Sequence, residues 1–176
     1  KLKVSWKVVP AAASYQIYRS TKKDGDYQNI KTIDSVGTSS WTDSSVKTGK
    51  TYYYKIKVVV KTQNGNQTSG FSNVKSAKAV PAKTTLKAKA SNAKNVKLTW
   101  SKVKGANGYE IYRSNSKDGK YQKVKTISKG GTTSYKDGKL KKSTTYYYKI
   151  RAYRKVDRKK VYGSYSSVVS VKTKAK

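Results

Sequence analysis

The chain contains no cysteine and no histidine, and only eight of its 176 residues are Asp or Glu. Without cysteine there can be no disulfide, no thiolate nucleophile and no zinc–thiolate site. Without histidine, the commonest general base and metal ligand in proteins is also missing. These absences remove most nucleophilic triads and transition-metal sites, so we expect neither an enzymatic activity nor a cofactor.

The few carboxylates fall mostly at turns and in matched pairs between the two halves of the chain. They are Asp24, Asp26, Asp34, Asp43, Glu110, Asp118, Asp137 and Asp157. A glycosidase needs two carboxyl groups across a cleft, whereas this distribution is typical of turn formers. The pairs Asp24-Gly25 and Asp118-Gly119 predict hairpins in which the glycine takes a positive φ. A calcium loop at 23–27 is the alternative, but Lys120 replaces Asp26 in the second half.

Positive charge dominates the sequence, because 41 Lys and Arg residues give a net charge of +33. Such a field favours anionic partners. Only five of the cations are Arg, the side chain whose planar fork reads bases and phosphates, so unspecific electrostatics is expected rather than nucleic-acid recognition. Residues 1–80 carry 14 basic and four acidic residues, a net of +10, and residues 81–176 carry 27 and four, a net of +23.

The excess in the second half is largest in the segment RAYRKVDRKKVYG at 151–163, where the first half has the nearly neutral KVVVKTQNGNQTSG. We therefore expect polyanion binding mainly at four residues of this segment, Arg154, Arg158, Lys159 and Lys160. The alternative is that these cations only keep a sheet edge soluble and unpaired. No apolar run approaches the ~18 residues of a transmembrane helix. The sequence has neither a signal peptide nor an initiator Met, which predicts a piece of a longer chain.

An internal repeat organises the whole sequence. A shift of 94 residues aligns Trp6 with Trp100 and the stretch TYYYKI at 51–56 with its copy at 145–150, and no gap is needed between Trp6 and Val74. A period of this length predicts two small domains. We assign a first module to residues 1–80, a short linker to 81–84 and a second module to 85–176. The stretch LKAKASNAKN at 86–95 has no counterpart in the first module.

Each module reads as all β, because runs rich in Val, Ile, Tyr and Thr alternate with turn residues and no 3.6-residue period competes. Seven strands are predicted in the second module. They cover residues 86–92, 97–100, 108–114, 117–127, 132–137, 144–154 and 163–173.

The tyrosine triplets predict one apolar and one basic face, since successive side chains of a strand point to opposite sides. Tyr52 and Tyr54 should belong to the core with Ile56, and Tyr146 and Tyr148 should do so with Ile150. The middle ring of each triplet should point outward. The resulting candidate patches, on the outer face of one sheet, are Tyr18, Tyr53 and Lys55 in the first module and Tyr112, Tyr147 and Lys149 in the second. Such rings could stack on sugars or bases, or could simply form cross-strand pairs that stabilise the sheet.

The stretches VSW and LTW, SYQIY and GYEIY, and VKTGKTYYYKI and LKKSTTYYYKI resemble the fibronectin type III module. More narrowly, they resemble the lysine- and tyrosine-rich form found in surface and secreted proteins of Gram-positive bacteria. The family motif Leu-x-Pro-Gly-Thr-x-Tyr, whose tyrosine forms a tyrosine corner, is matched by Val46, Gly49 and Tyr52 and by Leu140, Thr144 and Tyr146. Thr48 and Lys142 stand at its Pro position and Ser143 stands at its Gly position.

The resemblance implies two tandem seven-strand Greek-key β-sandwiches, of which the first lacks its opening strand, and an extracellular location at the cell wall or surface. The expected function is a non-catalytic spacer that associates with an anionic cell-wall polymer or another polyanion. The alternatives are a module that binds host glycan or protein through the tyrosine patches or the basic segment, and nucleic-acid binding. The missing strand also leaves an edge that could accept a strand of another copy, so self-association is left open.

Overall fold

The computed structural model describes residues 1–35 and 37–176, and these residues contain β-strands and no helix. None of the described residues forms a helix able to traverse a bilayer. The chain divides into two compact units, Lys1–Ala79 (unit 1) and Val80–Lys176 (unit 2). The strands of unit 1 are β1 (Leu2–Ser5), β2 (Ala12–Ser20), β3 (Gln28–Ile33), β4 (Ser40–Asp43), β5 (Thr51–Thr62), β6 (Gly65–Thr68) and β7 (Lys75–Lys78). Those of unit 2 are β8 (Leu86–Asn92), β9 (Asn95–Trp100), β10 (Gly108–Ser114), β11 (Gln122–Ile127), β12 (Ser134–Asp137), β13 (Thr145–Val156), β14 (Lys159–Tyr162) and β15 (Val169–Lys172).

Unit 2 is a sandwich of two antiparallel sheets. One sheet has the order β12–β9–β8, and the other has the order β11–β10–β13, with β14 and β15 both paired to β13. This is the arrangement of a fibronectin type III-like fold, with the seventh strand position occupied by two short pieces. The sequence predicted one strand at 163–173, but only Val169–Lys172 of this range form a strand. Residues 163–168 are not in a strand. Among them, the Ser166 backbone N–H donates to the Ile150 carbonyl at 2.7 Å, and the Ser166 hydroxyl accepts from the Ile150 N–H at 3.1 Å.

Unit 1 repeats most of this arrangement, and within the described residues β1 is paired with β4. Its sheets are β1–β4 and β3–β2–β5, with β6 and β7 paired to β5. Within the described residues, unit 1 has no strand that corresponds to β8.

The tyrosine triplets divide between the two faces of their strands as the alternation predicts. Tyr52 and Tyr54 are buried in unit 1, and Tyr146 and Tyr148 are buried in unit 2. The Tyr52 hydroxyl accepts a hydrogen bond from the backbone N–H of Lys47 at 2.9 Å, and the Tyr146 hydroxyl accepts one from Lys141 at 2.9 Å. Both tyrosine corners therefore form, although the Pro of the family motif is absent from each.

The two Asp-Gly pairs do not form the predicted hairpin turns. Residues 21–27 and 115–121 form longer connections, β11 begins only at Gln122, and neither Gly25 nor Gly119 has a positive φ. The glycines are required by space instead. A Cβ on Gly25 would lie 2.9 Å from the Lys22 Cβ, and one on Gly119 would lie 3.0 Å from the Ser116 Cβ.

Candidate binding surfaces

The outward tyrosines lie on the larger sheet of each unit, where the strand register places them beside cations. Tyr18 on β2 is opposite Lys55 on β5, and Tyr112 on β10 is opposite Lys149 on β13. Tyr53 and Tyr147 lie two residues further along, opposite Ser20 and Ser114. All four rings are half-buried rather than fully exposed.

The described ring contacts of Tyr18 and Tyr112 are with the connection before the last strand, not with the neighbouring strand of the triplet. Tyr18 meets Phe71 edge-to-face with 5.0 Å between ring centroids, and Tyr112 meets Tyr165 at 5.2 Å in the same geometry. Phe71 and Tyr165 are equivalent across the repeat. The described ring partners of Tyr18 and Tyr112 are therefore residues of this connection, and not the outward tyrosines of the neighbouring strand that the sequence suggested.

Lysine and arginine side chains lie between these rings. We call the resulting series of alternating rings and cations in each unit its cation–aromatic ladder. In unit 2 the Lys149 Nζ is 4.2 Å from the Tyr121 ring centroid and 4.6 Å from that of Tyr165, and the Arg151 guanidinium is 3.7 Å from the Tyr162 centroid. The ladder of unit 1 has the same order of ring and cation. It runs Tyr27, Lys55, Phe71, Lys57, Tyr18. The cationic side chains predicted to hold an anion therefore already contact rings of their own unit, an arrangement worth about 0.5–1 kcal/mol per exposed contact.

A buried carboxylate, Glu110, lies beneath the ladder of unit 2. Its side chain is 1% exposed and accepts hydrogen bonds from the hydroxyls of Tyr112 at 2.8 Å and Tyr162 at 3.0 Å. It also accepts bonds from the Arg151 guanidinium at 2.9 Å and the Lys160 ammonium at 3.1 Å. Burial alone would raise the pKa of Glu110, but these four donors outweigh it and lower the pKa from 4.5 to about 2.

Unit 1 lacks this cluster, because four of the five positions differ. Gln16 stands in place of Glu110, and its side-chain oxygen accepts a hydrogen bond from the Tyr18 hydroxyl at 3.0 Å. The other three replacements are Lys57 for Arg151, Asn66 for Lys160 and Thr68 for Tyr162. Sequence reasoning missed Glu110 because it treated the acids as turn formers. Two features of the sequence could have indicated its role. Glu110 lies inside a predicted strand, and Glu110 and Asp157 are the two acids of the second half that have no acidic counterpart in the first half.

Two aspartates at equivalent positions are also buried and paired. Asp43 accepts hydrogen bonds from Arg19 at 2.7 Å and from the Tyr54 hydroxyl at 2.9 Å, and Asp137 accepts the same pair of bonds from Arg113 and Tyr148. Burial would raise the pKa of Asp43, but hydrogen bonds from Ser45, Arg19 and Tyr54 lower it overall. The prediction that these acids are turn formers is therefore wrong for Asp43, Asp137 and Glu110.

The surface consequently carries less negative charge than the composition suggests. The five remaining acids, Asp24, Asp26, Asp34, Asp118 and Asp157, are exposed. The three buried ones neutralise Arg19, Arg113 and Arg151 inside the units. Most of the lysines thus face solvent with little compensation. No group of three or more acidic side chains suited to a metal ion occurs among the described residues.

The basic segment predicted at 154–160 forms the hairpin between β13 and β14. Its two-residue turn is Asp157-Arg158, and both residues have a positive φ, 48° and 63°. Arg154, Arg158 and Lys159 are exposed, whereas Lys160 is turned onto Glu110 and onto the Tyr153 ring at 4.5 Å. The structure therefore separates Lys160 from the three cations with which the sequence grouped it.

No model of a protein family matches the chain. A curated relative, the amylopullulanase of Thermoanaerobacter thermohydrosulfuricus, is 37% identical over 81 residues, which are 46% of this chain and 5% of that protein. Among solved structures, the FN1–FN3 domains of chicken CNTN1 align with 98% of the chain and 62% of their own length, at 19% identity and a TM-score of 0.47. The protein FN3tt aligns over 56% of the chain and 99% of its own length, at 25% identity and a TM-score of 0.44. The fold is assigned from the strand order of the two units, and the chain spans only a small part of the curated relative.

Proposed function

We propose that the chain is a non-catalytic spacer within a larger extracellular bacterial protein and that it associates with anionic cell-wall polymers through its charge. The observation that carries this proposal is the uncompensated cationic surface. Three of the eight acids are buried against arginines of their own unit, so the exposed lysines face solvent with only five exposed carboxylates among them. A surface of this kind attracts polyanions without reading a sequence or a shape.

The state of the carboxylates supports a non-catalytic role. Glu110 has a pKa of about 2 and is held by four donors, so it carries no proton to donate near neutral pH. Asp43 and Asp137 are each fixed by an arginine and a tyrosine. Groups that are fully hydrogen-bonded by their own fold have no free position at which to take a proton from a substrate.

The proposal of a larger parent protein is supported by the bacterial amylopullulanase, in which the similar segment is 5% of the length. A β-sandwich that makes up so little of an enzyme suits a role in holding other domains apart. The ladders favour the same role, since they stiffen the outer face of each unit with cations that would otherwise be available to a ligand.

Co-sedimentation with purified Gram-positive cell walls tests the proposal. We expect the full chain to pellet with walls that retain teichoic acid and not with walls from which it has been removed. Binding should fade as the salt concentration rises through about 0.1 M, where the Debye length falls to about 10 Å. Equal binding to stripped walls, or binding that does not change with salt, would rule out the charge-based association.

Replacing Arg158 with glycine should separate stability from polyanion binding. A non-glycine residue with φ near +60° costs about 1–2 kcal/mol, so Arg158→Gly should stabilise unit 2 by about 1 kcal/mol while weakening wall binding. The matched control is Lys159→Gln, which removes one exposed charge from the same hairpin without relieving a positive φ. It should weaken wall binding to a similar extent and leave the free energy of unfolding unchanged within about 0.5 kcal/mol. Undiminished binding by both variants would exclude the hairpin from the polyanion surface.

A further inference from the structure

The outer face of the smaller sheet of unit 2 carries three lysines side by side. The strand order of this sheet is β12–β9–β8, and its register places Lys136 opposite Lys97 and Lys97 opposite Lys89. All three side chains are exposed. Because neighbouring strands lie about 4.7–4.9 Å apart, the three residues span roughly 10 Å across the sheet. We call Lys89, Lys97 and Lys136 the lysine row.

The lysine row has no counter-charge from its own unit. Like charges directly opposite each other on neighbouring strands destabilise a sheet. Within the part of the chain that the structure describes, none of the three lysines forms an ion pair with a carboxylate. The acid of these strands is Asp137, which is buried and binds Arg113 at 2.8 Å. The repulsion within the row is therefore left uncompensated at the surface.

Neither edge protection nor packing explains the lysine row. Lysines on edge strands prevent pairing with other chains, but Lys97 is on β9, which is paired on both sides. In unit 1 the equivalent of Lys97 is Lys3, and it lies opposite Thr42, the equivalent of Lys136. The same strand pair thus forms with a single lysine, so the fold does not require the others.

Hydroxyl groups continue this face on one side of the lysine row. Alternate residues of a strand share a face, so Lys87 lies beside Lys89 on β8, and it is opposite Thr99. One step further, the hydroxyls of Thr85 and Ser101 are 2.6 Å apart and share a hydrogen bond. A cavity of about 210 Å³ at this position is lined by Thr85, Lys87, Thr99, Trp100 and Ser101. The face therefore has a row of cations and, beside it, groups that donate and accept hydrogen bonds.

We propose that a linear phosphodiester polymer with a hydroxylated repeat binds across this face, with successive phosphates on the lysine row and hydroxyl groups of the repeat towards Lys87 and Thr99. The polymer runs perpendicular to the strands, because the row of cations does. This inference rests on the proposed association with anionic polymers and adds the place in unit 2 where such a polymer binds.

The type of cation favours phosphate over carboxylate. Arg pairs with a planar carboxylate through two parallel hydrogen bonds, and unit 2 uses Arg in this role internally, where Arg113 binds Asp137 and Arg151 binds Glu110. The outer face has Lys alone. Its ammonium is a point charge with three rotatable donors, which suits phosphates that reach it from different directions along a flexible chain.

The outward side chains favour a polyol or sugar phosphate over a nucleic acid. Proteins that bind single-stranded nucleic acids present aromatic rings on which the bases stack. The outward positions of β8, β9 and β12 hold Lys, Thr, Ser and Asn, whereas Tyr135 and Trp100 on the same strands pack against the core or belong to it. Hydroxyl groups are suitable partners for the hydroxyls of a polyol.

The test is a titration of the ¹⁵N-labelled full chain with a glycerol phosphate oligomer over a series of salt concentrations. We expect saturable amide shifts that are largest in β8, β9 and β12. The double variant Lys97→Thr/Lys136→Thr should bind at least about fivefold more weakly. The slope of log affinity against log salt concentration should fall in magnitude by about 1.4, because two phosphate contacts are lost.

Lys117→Thr/Lys120→Thr is the matched control. Both lysines are exposed in the connection before β11, and their removal changes the net charge by the same amount. This variant should bind within about twofold of the original chain, and both double variants should keep the original thermal unfolding curve.

The outcomes separate this inference from the proposed function. Equal weakening by the two double variants, in a chain that still pellets with walls bearing teichoic acid, would overturn the lysine row and leave the charge-based association intact. Failure of the original chain to pellet with those walls would overturn both. Tighter binding of an oligothymidylate or a polyglutamate of equal charge would overturn the assignment of a hydroxylated phosphodiester polymer.

Discussion

Replacing Glu110 with glutamine is expected to destabilise unit 2 by about 3 kcal/mol at pH 7. The surroundings of Glu110 lower its pKa from 4.5 to about 2, and a tenfold change in proton affinity corresponds to about 1.4 kcal/mol. Glutamine keeps the shape of the side chain but not the charge that Arg151 and Lys160 approach within 3.1 Å. Two partly buried cations would then lose their common counter-charge.

The same replacement should change how the stability of unit 2 depends on pH. Because the folded-state pKa lies below the unfolded one, the stabilisation by Glu110 is fully present above about pH 5 and is lost as the pH falls towards 2. The original chain should therefore lose about 3 kcal/mol from unit 2 across this window, and the Glu110→Gln variant should not lose this contribution. Hydrogen-exchange mass spectrometry at pH 7, 5, 3 and 2, which reports the two units separately, measures the difference. Parallel losses in both proteins would show that Glu110 does not stabilise the fold.

Gln16→Glu in unit 1 is the matched control. It places a carboxylate at the equivalent position, but unit 1 has Asn66 and Thr68 where unit 2 has Lys160 and Tyr162. Without those donors, the new charge should stabilise unit 1 by less than about 1 kcal/mol. A gain as large as the loss in Glu110→Gln would mean that position alone, rather than the cluster of donors, determines the effect.

The alternation of side chains along a strand made the core face of each tyrosine triplet predictable from the sequence. Tyr52 and Tyr146 could also be assigned to tyrosine corners, because that motif is local and spans only five residues. The internal repeat strengthened both predictions, because the same pattern occurs at the aligned positions of the two modules. Local strand geometry and the internal repeat were therefore sufficient to predict the core face of each triplet strand.

The Glu110 cluster could not be predicted in the same way because its members are far apart in sequence. Arg151 is 41 residues from Glu110 and Tyr162 is 52 residues from it. They meet only because β10 and β14 lie on either side of β13 in the sheet. The residues of β14 lay outside the predicted strands, so neither Tyr162 nor the contact of Lys160 with Glu110 could be predicted before the strand register was known.

Replacing Asp43 with alanine should have the largest effect on unit 1, a loss of about 3–5 kcal/mol. The Asp43 side chain is 1% exposed and binds the Arg19 guanidinium, the Tyr54 hydroxyl, and both the N–H and the hydroxyl of Ser45. Alanine would leave a cation and a buried phenol without their acceptor. Asp137→Ala in unit 2 should cost about 1 kcal/mol less, because Lys139 occupies the position of Ser45 and two donors are not lost.

A double variant separates the charge from the packing. In Asp43→Ala the unpaired cation accounts for much of the loss, so adding Arg19→Met, which removes that cation and keeps an apolar stem near the Tyr52 ring, should recover about 1–2 kcal/mol. Hydrogen-exchange mass spectrometry of the four proteins of this cycle, evaluated on peptides from unit 1, measures the coupling. If the double variant is less stable than Asp43→Ala alone, Arg19 stabilises unit 1 through its stacking on Tyr52 even without Asp43, and the unpaired charge is not the cause of the loss.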